Sequence, residues 1–111
     1  MINRIYVVRH GEREDFIDPN WGKTHERFFD PPLSAHGLDQ AREVSEFFAD
    51  KKISMVFSSP LIRAIETALP TTKVLGTKLC IEYGLNEFYS PVKKSKSKQK
   101  TKFISSQYPI Y

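Results

Sequence analysis

The chain has 111 residues, 40% of them hydrophobic and 27% charged, which fits a single globular domain with a modest core and leaves little room for a second. The net charge of +4 is local: Lys93, Lys94, Lys96, Lys98, Lys100 and Lys102 share one acid-free stretch, leaving 11 basic against 13 acidic residues elsewhere. That slightly acidic body argues against nucleic-acid binding through the fold, and a lone Cys80 excludes an internal disulfide and fits a reducing compartment.

No signal peptide is visible, and no stretch approaches the ~18 apolar residues of a membrane span, so a cytoplasmic location is expected. In chain order, Arg4–Val8 (RIYVV) is β-branched and bounded by Asn3 and a glycine turn, and reads as a buried strand. Residues 14–33 hold three prolines and a glycine without a clean period, the pattern of a long surface loop. Ser34 offers an N-cap to the next segment. There Leu38, Ala41, Val44, Phe47 and Phe48 recur at helical spacing and predict an inward face, while Gly37 permits close packing.

Ile53–Phe57 predicts a second strand. Pro60 suits the first position of a second helix with the stripe Leu61, Ile65, Ala68 and Leu69, and Pro70 is expected to end or kink it. Lys78–Ile81 predicts a third strand, with Cys80 as a small core residue. Residues 92–111 begin with a lysine-rich, low-complexity run and read as a disordered tail behind a folded unit of residues 1–91. That tail is suited to nonspecific contact with anionic surfaces but not to specific nucleic-acid recognition. The order of strands and helices predicts an α/β layered fold with a largely parallel sheet flanked by helices.

Ligands in such sheets bind beyond the carboxyl ends of the strands. His10 follows the first predicted strand, Ser58 and Ser59 the second, and Glu87 the third. The chemistry suits phosphoryl transfer. A neutral imidazole is a nucleophile near pH 7 and forms a phosphohistidine. Arginine forks hold phosphate oxygens in bidentate fashion and keep their charge. Arg9, Arg13 and Arg63 are the candidates for that task, and Glu87 is the best-placed acid for the departing oxygen.

Four ordered segments, VVRHGER, PPLSAHGLDQA, FSSPLIRAIETA and GLNEF, resemble the histidine phosphatase superfamily, also called phosphoglycerate mutase-like, over roughly residues 4 to 90. The resemblance implies a phosphoglycerate mutase-like layered fold in which His10 becomes phosphorylated, Arg9 and Arg63 bind the phosphate, and Glu87 is the acid. It implies no metal and no organic cofactor. RHGER followed by DF, with Asn20 and Trp21 before PPLS, looks more like the phosphatase branch that includes the suppressor-of-T-cell-receptor-signalling phosphatases. There an extra arginine, here Arg13, also reaches the phosphate. The expected substrate is a phosphorylated small molecule or a phosphoprotein, hydrolysed as a phosphomonoester.

The family also uses a second histidine from near the C-terminal end of its domain. This sequence has only His10, His25 and His36. His36 falls in the PLS-x-x-G helix start and His25 in the irregular loop, so neither matches. The resemblance therefore implies a domain incomplete at its C-terminus, with weakened or absent turnover and an exposed apolar sheet surface. The alternative is a noncatalytic phosphate- or partner-binding module.

Overall fold

The computed structural model describes residues 4–24 and 29–86. After an extended stretch comes a single 3-10 turn at Glu14–Phe16, then α1 (Trp21–Thr24), α2 (Ala35–Phe48), β1 (Val56–Ser58), α3 (Ile62–Leu75), β2 (Leu79–Ile81) and a second 3-10 turn at Tyr83–Leu85. β1 and β2 run parallel, with Val56 opposite Leu79, Phe57 opposite Cys80 and Ser58 opposite Ile81. Parallel neighbours need a crossover, and α3 supplies it. α2 packs along α3, which in turn packs on both strands. This is the expected α/β class with a small parallel sheet. Among the described residues no helix is long and apolar enough to cross a membrane.

Both long helices begin, and α3 ends, for identifiable reasons. Ser34 caps α2 as expected: its backbone is extended, and its Oγ accepts the Gly37 N–H at 3.0 Å. α3 starts at Ile62, two residues later than Pro60 suggested, with Leu61 as N-cap. It runs through Pro70 and stops at Gly76, whose φ of 68° closes a left-handed cap. The Gly76 N–H donates to Lys73 O and the Thr77 N–H reaches Thr72 O at 3.0 Å, the paired bonds of a Schellman ending. Pro70 removes one helix donor. Packing against α2 and the sheet keeps the segment helical on both sides of it.

The buried faces differ from those the apolar spacing suggested. On α2 the buried residues are Gly37, Ala41, Ser45 and Phe48, whereas Leu38 and Phe47 are exposed. On α3 they are Arg63, Thr67, Thr71 and Thr72, whereas Leu69 is exposed and Ile65 only half-buried. On α2 the inward stripe keeps Ala41 and Phe48 of the predicted apolar set and is otherwise small, whereas on α3 it is polar.

Arg4–Val8 is not a buried strand. The segment pairs with no strand among the described residues, and Ile5 and Val7 are 75% and 94% exposed. Tyr6 alone finds cover, edge-on against the rings of Phe47 and Phe48 at 6.1 and 5.1 Å. In the sheet, Leu79, Ile81 and Ser58 point into the core, while Phe57 is exposed and its partner Cys80 half-buried. One sheet face is thus covered and the other partly exposed. Cys80 sits on the partly exposed face, not in the core.

Candidate active site

His10 lies where the extended N-terminal segment turns into Gly11. Its Nδ1 is 2.7 Å from Gly11 O. A carbonyl oxygen only accepts, so Nδ1 carries a proton, and in the neutral imidazole the lone pair then sits on Nε2. A cleft of about 350 Å³ opens beside it, lined by Arg9, His10, Gly11, Gln40, Ala41 and Thr67 together with Glu43 and Val44.

Backbone and side chain bonds fasten this turn to both helices. The Gly11 N–H donates to Thr67 Oγ1 on α3 (3.0 Å), and the Glu12 N–H donates to Gln40 Oε1 on α2 (2.8 Å). Glu12 O accepts the Ser34 N–H at 2.9 Å, and Ser34 Oγ donates to the Glu12 carboxylate at 2.6 Å. A Cβ on Gly11 would stand 2.8 Å from Gly37 O, and one on Gly37 would stand 2.3 Å from Glu12 O. Both glycines therefore serve a close backbone approach. Arg13 and Leu33 form an isolated antiparallel bridge, and the Glu14 N–H donates to Pro32 O at 2.8 Å.

The PPLS segment is held in turn by α3. Glu66 accepts the Leu33 N–H at 2.8 Å, and Asp30, only 2% exposed, accepts the Ile62 N–H at 2.9 Å. Asp30 thus caps α3 from more than thirty residues upstream and places a carboxylate at the positive end of the helix. Replacing Asp30 by alanine is expected to cost about 1–2 kcal/mol, and Asp30→Asn, which keeps an acceptor, about half of that. Thermal unfolding of the two variants checks this, and equal losses would show that the acceptor is not what matters.

Arg9 and His10 line one cleft. Arg63 is 2% exposed on α3, one turn before Thr67, whose hydroxyl donates to Arg63 O at 2.7 Å. That bond lies within α3, and Arg63 is not among the residues that line the cleft. Arg13 does not line the cleft: its Nε and Nη2 donate to the two Asp15 oxygens at 2.9 and 2.6 Å, and its guanidinium stacks 4.5 Å over Phe16. Glu87, the lysine run and the boundary at residues 91 and 92 lie outside the described residues. The side chains that build the turn, Asp30, Gln40, Glu66 and Thr67, were not singled out from sequence. Gln40, Glu66 and Thr67 do fall within the segments PPLSAHGLDQA and FSSPLIRAIETA. Among the described residues no group of three or more His, Cys, Asp or Glu side chains is placed to hold a metal ion.

A parallel β1–α3–β2 unit, with α2 packed on α3 and both helices bonded to a histidine-bearing turn, defines an α/β domain. The profile of the histidine phosphatase superfamily (branch 1) matches residues 5–102, and the chain belongs to that family. Among curated proteins it is 33% identical over 102 residues to the transcription factor tau 55 kDa subunit of Saccharomyces cerevisiae, covering 85% of this chain and 22% of that protein. Among solved structures it resembles the mycobacterial glucosyl-3-phosphoglycerate phosphatase in complex with VO3, at 26% identity and a TM-score of 0.58 over 70% of this chain and 35% of that one. It also resembles the phosphoserine phosphatase of Entamoeba histolytica in complex with 3-phosphoglyceric acid, at 26% identity and a TM-score of 0.54 over 72% and 37%. The chain thus spans well under half the length of these relatives.

Proposed function

We propose that this chain carries the nucleophile half of a histidine phosphatase site and acts on a phosphomonoester. The observation that carries the proposal is the 2.7 Å contact from His10 Nδ1 to Gly11 O, which in the neutral imidazole puts the lone pair on Nε2. The VO3 and phosphoglycerate complexes of similar structures support phosphorylated small molecules as the substrate class.

In the first step Nε2 attacks phosphorus, the P–O ester bond breaks, and the departing alcohol oxygen takes a proton from the Glu87 carboxylic acid. In the second, water attacks the phosphorus of phospho-His10, returns a proton to Glu87, and releases inorganic phosphate and neutral imidazole. Arg9 and Arg63 hold the equatorial oxygens through the transfer. Arg13 joins them only by leaving Asp15, so in the described conformation it braces the loop instead.

The test is a phosphatase assay on the full chain with an aryl phosphate, with His10→Ala as control. Turnover that disappears in the variant, with a phosphorylated species trapped only on the unaltered chain, is the expected result. Turnover that survives in His10→Ala would sink the proposal. A second reading, binding without turnover, is favoured by the cleft itself, where among the described residues His10 is the only histidine in the lining. Loss of one preorganised donor typically lowers such rates ~10²–10³-fold. Saturable vanadate binding without hydrolysis selects this second reading.

A further inference from the structure

The two peptide planes that flank Gly11 are each held by a side chain from a different helix. The plane carrying the Gly11 N–H is held by Thr67 Oγ1 on α3 at 3.0 Å. The next plane carries both Gly11 O and the Glu12 N–H, and Gln40 Oε1 on α2 accepts that N–H at 2.8 Å. Gly11 O is also the acceptor for His10 Nδ1. The direction of each bond is fixed by chemistry. An amide N–H only donates, so Thr67 Oγ1 accepts from Gly11 and gives its single proton to Arg63 O, 2.7 Å away. The hydroxyl, 5% exposed as a residue, is then used as donor and acceptor at once.

We propose that Thr67 and Gln40 are positioning residues for His10: by fixing both peptide planes around Gly11 they aim Gly11 O at Nδ1 and hold the imidazole in its Nδ1–H tautomer. This rests on the proposed function in taking His10 as nucleophile, because only that tautomer presents a lone pair on Nε2. Neither residue needs to touch substrate. The rationale for two clamps is geometric. One held plane leaves the Gly11 carbonyl free to swing about the Cα–C bond, whereas two held planes fix it. α2 and α3 pack on each other, so the clamp is as rigid as the helix pair.

The experiment is nitrogen-15 imidazole NMR of His10 in the full chain near neutral pH, on the unaltered protein and on Thr67→Val, Gln40→Leu and Thr67→Ser. The unaltered chain and Thr67→Ser are expected to show the Nδ1–H tautomer. Thr67→Val and Gln40→Leu are expected to show a mixture with Nε2–H, and, where turnover is measurable, kcat lower by about tenfold with KM little changed. An Nε2–H tautomer in the unaltered chain overturns the proposal, as does an unmixed Nδ1–H tautomer in both folded variants. Thr67→Ser behaving like Thr67→Val overturns it too, since the lost methyl group and not the hydroxyl would then be responsible. If Thr67→Val or Gln40→Leu fails to fold, the unaltered chain and Thr67→Ser decide. The spectrum does not depend on activity. A locked tautomer without hydrolysis upholds the positioning and counts against catalysis, and hydrolysis with an indifferent tautomer does the reverse.

Discussion

Gly37→Ala is expected to be the most destabilising single substitution at this site, lowering stability by about 3 kcal/mol and the melting midpoint by about 15 °C. A methyl group there meets Glu12 O at 2.3 Å and Glu12 N at 3.0 Å. Both are backbone atoms, so no rotamer change relieves the clash. Relief requires moving α2 away from the RHGER turn, which breaks the Glu12–Gln40 and Ser34–Glu12 bonds together. The helix propensity gained by replacing glycine with alanine, about 1 kcal/mol, acts in the opposite direction and does not compensate. Gly22 on α1 is the internal control, since a Cβ there meets nothing within 4 Å. Thermal unfolding of Gly37→Ala beside Gly22→Ala makes the comparison, and midpoints within about 2 °C of each other would contradict the close approach.

The second large effect is expected at Arg63. Arg63→Lys keeps the charge but replaces a planar fork with a point donor, and oxyanion affinity is expected to fall about a hundredfold. Stability should change less than in Gly37→Ala, because the bond from Thr67 goes to the Arg63 backbone oxygen and survives the substitution. Vanadate titration by calorimetry measures the first quantity and thermal unfolding the second. Unchanged vanadate affinity in a folded Arg63→Lys chain would remove Arg63 from the phosphate site. Arg13→Lys offers a contrast, as its fork is already taken by Asp15 and Phe16. A smaller loss there agrees with a bracing role for Arg13.

Local chemistry makes much of the fold legible in the sequence. Ser34 marked a helix start because a hydroxyl three residues before an N–H is a cap wherever the chain then turns helical, and the cap is present. Val56–Ser58 and Leu79–Ile81 lie within or one residue beyond the strands read from their β-branched and apolar character. Where a local rule met tertiary packing, packing prevailed. Pro70 signalled a stop or a kink; α3 does not stop there but continues to Gly76, the residue able to adopt the left-handed cap. The periodic apolar residues Leu38, Phe47 and Leu69 signalled the core, but they lie outside it. A periodicity reports that a helix has two faces; which of them is covered depends on what the rest of the chain brings against it.

The sequence by itself determined the family, the nucleophile candidate and the parallel α/β plan, because each resides in short ordered runs of residues whose chemistry is local. Only the tertiary structure decided how His10 is held. Thr67 is 56 residues from Gly11 in the chain, Gln40 is 28 from Glu12, and Asp30 is 32 from Ile62. A hydrogen bond over such separations has no period and no motif of its own. It exists because α2 and α3 pack on each other and Gly37 lets α2 come close to the turn, which brings polar groups of both helices within 3.0 Å of its backbone. The same packing decided the fate of Arg4–Val8: an apolar, β-branched run is a buried strand only when neighbouring chain covers it, and here Tyr6 is the residue that α2 reaches.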